Sequence, residues 1–220
     1  MPRLAGQIDV AKNEAILDAA LEVLAERGAA ASMEEIARRA GVSKQTIYNH
    51  YGSKADLVRA MCARRVSEMT APLEAPGALE QIEETLAAYA RAMMRGVLNP
   101  RTIALMRTAM AHAAELPEVP AAIYEAGPLA NRRRFASFVD AETCAGRLNC
   151  PDPLAAAEVF SGLVVATRQV AALFGAPPEP DEAENERIAR TAAAQFLKLY
   201  GAGSSADGGI PTPPRPRRSP

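Results

Sequence analysis

Two histidines, His50 and His112, are all that this 220-residue chain carries, and its three cysteines, Cys62, Cys144 and Cys150, stand at no close ligand spacing. Nucleophilic catalysis needs a nucleophile beside an oriented base, and a metal centre needs several clustered ligands. Neither can be assembled from these residues, so no enzyme, no metal and no cofactor is expected. An odd number of cysteines without a framework spacing also argues against a disulfide scaffold. Long apolar runs are missing as well. The longest weakly charged stretch, 154–176, contains Glu158, Arg168 and many alanines, whereas a membrane span takes about 20 predominantly apolar residues. The opening MPRLAGQID has no apolar centre of the signal-peptide kind. These absences lead to the expectation of a cytoplasmic protein with no membrane partner. Charge of one sign is lacking too: 25 basic against 26 acidic residues leave a net charge of -1. Any attraction to nucleic acid must therefore come from a local patch.

What is present is helix, punctuated by Gly and Pro, with no sustained strand-type alternation. Lys12 to Arg27 sets Ile16, Ala20, Val23 and Leu24 on one face, and Gly28 follows as a stop. Ser32 and Glu35 form an S-x-x-E capping box that opens a second helix, Met33 to Ala40. Gly41-Val42-Ser43 reads as a turn in which Gly41 takes positive φ and Ser43 caps a third helix, Lys44 to His50. Gly52-Ser53 repeats the device before a longer helix from Lys54 to about Met69, and Pro72 and Pro76 close the region.

Between Ser32 and Lys54 no Asp or Glu follows Glu35, while Arg38, Arg39, Lys44 and Lys54 are interleaved with Gln45, Tyr48, Asn49, His50 and Tyr51. Helical spacing turns Ile36, Ala37 and Ala40 inward, plugs the turn with Val42 and anchors the third helix through Ile47. Lys44, Gln45, Thr46, Tyr48 and Asn49 then point outward. Such a pair lays its second helix in the major groove of DNA. There Lys44 suits guanine O6 and N7, and Gln45 suits adenine N6 and N7. Thr46, Tyr48 and His50 suit phosphate oxygens. Lys54, beside a Ser53 cap, adds an ammonium to free N–H groups that favour an anion. Two short capped helices with an acid-free face also occur in proteins that never touch DNA. A helical protein-interaction module without DNA binding is thus the competing class, and Lys44, Tyr48 and Lys54 discriminate the two.

From about Glu14 to Leu57 the chain resembles the N-terminal DNA-binding domain of the TetR family of transcriptional regulators. The shared elements, in order, are Glu26-Arg27-Gly28, Glu35-Ile36-Ala37, Ala40-Gly41-Val42-Ser43, Thr46-Ile47-Tyr48-Asn49-His50-Tyr51, Ser53-Lys54 and Leu57. The resemblance implies that Ser32, Lys44, Gln45, Thr46, Tyr48, His50 and Lys54 contact operator DNA. Asn49 stands where the family commonly has an aromatic, and Tyr51 where Phe is common; Asn49 joins the DNA-facing set as a residue that alters which bases are read. Glu34 falls near the groove, either accepting from cytosine or repelling phosphate. The fold implied is all-α: an N-terminal three-helix helix-turn-helix DNA-binding domain plus a C-terminal helical ligand-binding and dimerisation domain. The expected boundaries are a flexible arm at 1–11, the DNA-binding domain at 12–70, the ligand-binding and dimerisation domain at 71–200, and a disordered Pro/Arg-rich tail at 201–220. The partners implied are double-stranded operator DNA, a second copy of the chain and a small, apolar effector that releases a repressor.

Helical runs are expected in the second part at about Leu79 to Val97, Arg101 to Glu115, Leu129 to Arg147, Pro153 to Phe174 and Asp181 to Tyr200, separated by Asn99-Pro100, Leu116-Pro117, Gly127-Pro128, Cys150-Pro151 and Ala176-Pro177-Pro178. Tyr124 to Pro128 and the arginines after it are similar to the AefR-like subgroup. Met93, Met94, Met106 and Met110, with Tyr89, Ile103 and Tyr124, are the candidate walls of an adaptable apolar pocket, and Arg107 and His112 are its polar candidates; the same residues suit a plain core. In the last two helices Val159, Gly162, Leu163, Ala166 and Val170, and Ile188, Ala192, Phe196 and Leu199, follow helical spacing. Two such helices per subunit can pair with their copies in a four-helix bundle. The alternative is that they pack only within one subunit. A dimer would set two recognition helices roughly 34–36 Å apart, one turn of a near-palindromic operator.

Overall fold

The computed structural model describes residues 10–75, 77–78, 81–114, 117–177 and 181–203. Among them every regular element is helical: α1 (Val10–Arg27), α2 (Met33–Arg39), α3 (Lys44–Tyr51), α4 (Lys54–Thr70), α5 (Ile82–Val97), α6 (Pro100–Ala111), α7 (Glu118–Tyr124), α8 (Ala130–Cys144), α9 (Pro153–Leu173) and α10 (Glu182–Tyr200). Side chains that satisfy the first free N–H groups fix where many of them start. Ser32, Ser43 and Ser53 cap α2, α3 and α4. Asn99 accepts from Arg101 N at 2.9 Å ahead of Pro100, the first residue of α6. Asp152 and Asp181 do the same for α9 and α10.

Two apolar cores result. The first is aliphatic: Ile16, Leu24, Ile36, Ile47, Leu57 and Met61 from α1 to α4 are fully buried, and Leu105, Ala122 and Ile123 from α6 and α7 close it. The second is aromatic. Tyr89 of α5 stacks on Phe135 of α8 at 4.8 Å between ring centroids, Phe135 lies 4.7 Å from Phe160 of α9, and Phe160 meets Phe196 of α10 edge-on at 5.3 Å. Because α6 and α7 seal the first core, the N-terminal region is not closed by its own four helices alone.

Three features depart from the sequence expectations. A helix, α7, follows Leu116-Pro117, where none was expected; Ala122 and Ile123 make one face of it part of the first core. Gly127-Pro128 does not separate two helices. Glu125 to Leu129 continues as a π-turn into α8, and the wider turn admits Pro128, which has no N–H to donate. In α10, Ile188, Ala192 and Phe196 point into the second core of their own subunit, because that face packs on α5 and the aromatic rings. The expected arm at 1–11 lies outside the described residues except for its last two, which begin α1. Most of the expected tail also lies outside them. Among the described residues no single helix is long and apolar enough to cross a membrane.

Candidate nucleic-acid interface

The α2–turn–α3 unit is held by hydrogen bonds that its own sequence supplies. Ser32 Oγ accepts from Glu35 N at 3.1 Å, and Ala40 N and Val42 N donate to Ile36 O and Ala37 O at 2.9 and 3.0 Å. Gly41, at φ 67°, takes the left-handed step that turns the chain. Ser43 Oγ then accepts from Thr46 N at 3.0 Å and lies 2.7 Å from Thr46 Oγ1. Ile47 is fully buried, and Tyr51 is buried with its hydroxyl donating to Asn13 Oδ1 at 2.5 Å. With one face pinned, the other must face solvent. Lys44, Gln45, Tyr48, Asn49 and His50 are exposed and Thr46 is half-buried. Ser32 is exposed at the head of α2.

Several polar groups on this face have partners that they can exchange. Lys44 pairs with Glu34 and sits 5.6 Å from the centre of the Tyr48 ring. The Glu34 hydrogen bond raises the Lys44 pKa, and the same contact lowers that of Glu34. Both side chains are solvated, and such surface pairs are weak. Glu34 thus stands beside Lys44 as its counter-ion. Gln45 Nε2 donates to Asn49 Oδ1 one turn on. Arg39 is turned away, bound to Glu22 and Glu26 of α1, and Glu26 leads in raising its pKa. Lys54 differs from the expectation: its Nζ donates to Ala31 O at 3.1 Å, and the chain is half-buried. Asp56 occupies the first turn of α4, where Ser53 Oγ donates to it at 2.6 Å and lowers its pKa. The head of α4 therefore already holds a carboxylate.

A cavity of about 250 Å³ lies among α4 to α9. Its wall from α4 is Met61, Cys62, Arg65, Val66 and Met69; opposite stand Met93, Met106, Asn131, Val165 and Gln169. Of the candidate pocket residues, Met93 and Met106 line it. Tyr89 is withdrawn into the aromatic core, and burial pushes its phenol pKa up. Ile103 is buried outside the lining, while Met110 and Tyr124 are exposed. Arg107 binds the C-terminal carbonyls of α9 instead, with Nε donating to Leu173 O at 2.9 Å and Nη2 to Ala172 O. Sequence reasoning missed the α4 wall and Asn131; the one signal was a polar pair, Arg65 and Asn131, within otherwise apolar helical faces. Burial raises the Cys62 thiol to about 11, so it stays protonated. Among the described residues no group of three or more His, Cys, Asp or Glu side chains could hold a metal.

The candidate dimer residues divide. Gly162, Val170 and Leu199 are exposed, and a Cβ at Gly162 would meet nothing within 4 Å. Val159 and Leu163 are half-buried, Leu163 against the second core. Ile188, Ala192 and Phe196 are unavailable, as described above. The side chain of Ala166 lies outside the described residues. Leu154 and Phe174 add exposed apolar surface at the two ends of α9.

Residues 16–61 match the family described as bacterial regulatory proteins, tetR family. Residues 84–202 match the C-terminal domain of AefR-like transcriptional repressors, over half of the chain. A helix-turn-helix transcriptional repressor of Mycobacterium tuberculosis is 32% identical over 103 residues, 46% of this chain and 55% of that protein. A transcriptional activator of Mycolicibacterium smegmatis is 49% identical over 55 residues, covering 24% of this chain and 25% of its own. The chain thus spans about half the length, or less, of these curated relatives. Among solved structures, a TetR regulator of Agrobacterium tumefaciens superposes with a TM-score of 0.71 at 27% identity, over 90% of this chain and 97% of that one. A flavonoid-responsive regulator does so with 0.64 at 28%, over 86% and 97%.

Proposed function

The chain belongs to the TetR family of transcriptional regulators, and from that premise we propose that it binds a near-palindromic operator as a homodimer and is released by a small apolar effector. The DNA-reading residues are Lys44, Gln45, Thr46, Tyr48, Asn49 and His50 of α3, with Ser32 at the head of α2. Lys54 acts by holding the backbone at Ala31, and reaches phosphate only if that bond is exchanged. The dimer forms on the surface of α9 and α10 around Gly162, Val170 and Leu199, which is exposed among the described residues.

One observation carries this reading. A single helix, α4, begins at the end of α3 and runs directly into the cavity wall, so that Met61, Arg65 and Met69 touch the cavity while Leu57 and Val58 pack in the DNA-reading core. An effector that prefers the form in which α4 is displaced shifts the population away from the DNA-competent spacing. Coupling of this kind is typically about 1–3 kcal/mol. Repression is the expected output, since a bound dimer obstructs a promoter without touching polymerase; a named repressor and a named activator both occur among the relatives. The test is footprinting of DNA around the protein's own gene. A protected near-palindrome is expected, and Tyr48→Ala should weaken it by about 1–3 kcal/mol without dissociating the dimer. Unchanged protection in Tyr48→Ala would remove α3 from the interface.

A further inference from the structure

Several of the polar groups that line the cavity have partners within the protein. Arg65 Nη2 donates to Gly96 O at 3.2 Å and to Thr102 Oγ1 at 2.7 Å, at the C-terminal end of α5 and the start of α6. Arg132 is paired with Glu158 at 2.8 Å. Gln169 Nε2 reaches Met106 Sδ at 3.3 Å. Asn131 is different. Its Nδ2 donates to the Tyr89 hydroxyl at 2.9 Å, but its Oδ1, buried and on a cavity-lining residue, has no hydrogen-bond partner among the described residues. A buried acceptor without a donor is a standing cost that a ligand can relieve. The surrounding wall is Met61, Met69, Met93, Val97 and Val165, an apolar surface whose thioethers adapt to flat or branched bodies. At about 250 Å³ the space is below the roughly 300–1,000 Å³ of drug-sized pockets, which selects a compact molecule.

We propose that this cavity takes an uncharged, compact apolar compound bearing one hydroxyl or N–H donor, a simple phenol being the nearest chemistry, and that Asn131 Oδ1 accepts from that donor. The proposal rests on the reading of the cavity as the effector site. It makes Asn131 the residue that distinguishes a donor-bearing ligand from its capped analogue. It also disfavours a carboxylate, which has no proton to donate to Asn131 Oδ1.

The test measures binding of para-butylphenol, its methyl ether and para-butylbenzoate to the full chain by calorimetry, and operator affinity separately. The phenol should bind about tenfold tighter than the ether, the worth of one buried hydrogen bond, and tighter than the benzoate. Asn131→Leu should erase the preference. Tyr89→Phe combined with Asn131→Leu removes both partners of the existing bond, keeps the fold if the single variant does not, and should bind phenol and ether within about twofold of each other. The inference is overturned if none of the three probes binds, if ether or benzoate binds as tightly as phenol, or if the double variant keeps the preference. If the phenol binds with the expected preference but leaves operator affinity unchanged, the ligand class stands and the effector reading fails instead.

Discussion

The two halves of the molecule hold their shape by different means. Around α2 to α4, three serine caps and two left-handed glycines set every helix start and turn, and the core beneath is aliphatic. Around α5 and α8 to α10, four of the five phenylalanines gather with Tyr89 and Tyr200 in one stacked cluster. Local hydrogen bonds position a readable surface to within a residue; ring packing over long sequence separations builds a scaffold that leaves room for a cavity. The exposed face of α3 is thus specified by neighbours in sequence and the cavity by neighbours in space.

The largest effect expected from this contrast lies in the aromatic half. Phe160, fully buried between Tyr89, Phe135 and Phe196, should cost about 3–5 kcal/mol on change to Ala. Urea unfolding would show it; a loss near that of an exposed residue would mean the cluster is not what holds this half. Gly28 joins the halves. Its φ is 54°, and a Cβ there would fall 1.7 Å from Thr108 Cγ2 of α6. Gly28→Ala should destabilise by about 1–3 kcal/mol and loosen α1 from α6, which amide exchange in both helices can follow. In the capped half Ser43→Ala should cost about 1 kcal/mol, with exchange rising in the first turn of α3 alone. The smallest effect concerns Glu34 and Lys44. Glu34 titrates below its ordinary value, so the pair is present above the usual carboxylate range and is lost as pH falls through the lowered value. An NMR titration of the Glu34 carboxyl should place its midpoint below that of an unpaired glutamate. An ordinary midpoint would mean that Lys44 is not held by Glu34.

The same contrast decides what could be read from sequence. Ser32, Ser43 and Ser53, with Gly41 and Gly52, act on residues two to four positions away, so the helix-turn-helix was legible down to its caps. In the second half, hydrophobic spacing marks a buried face without saying what buries it. Ile188, Ala192 and Phe196 have the spacing of an interface, yet the aromatic rings of their own subunit cover them. Arg107 looks like a polar pocket residue, but the end of α9, far away in sequence, claims it. Helix α7 was missed because its short buried face, Ala122 and Ile123, belongs to a core formed by α1 to α4. The π-turn at Gly127-Pro128 was missed because Gly-Pro is ordinarily a stop.

The central claim is that α3, with Lys44 at its head, meets the phosphates and base edges of duplex DNA. Its most direct measurement is the salt dependence of binding to the footprinted duplex, by fluorescence anisotropy between about 50 and 200 mM salt. Affinity should fall linearly on a log–log plot with a slope near −0.9 per phosphate neutralised, and Lys44→Ala should make that slope shallower by about one unit. A flat response, or a wild-type protein that ignores duplex DNA at low salt, would contradict it.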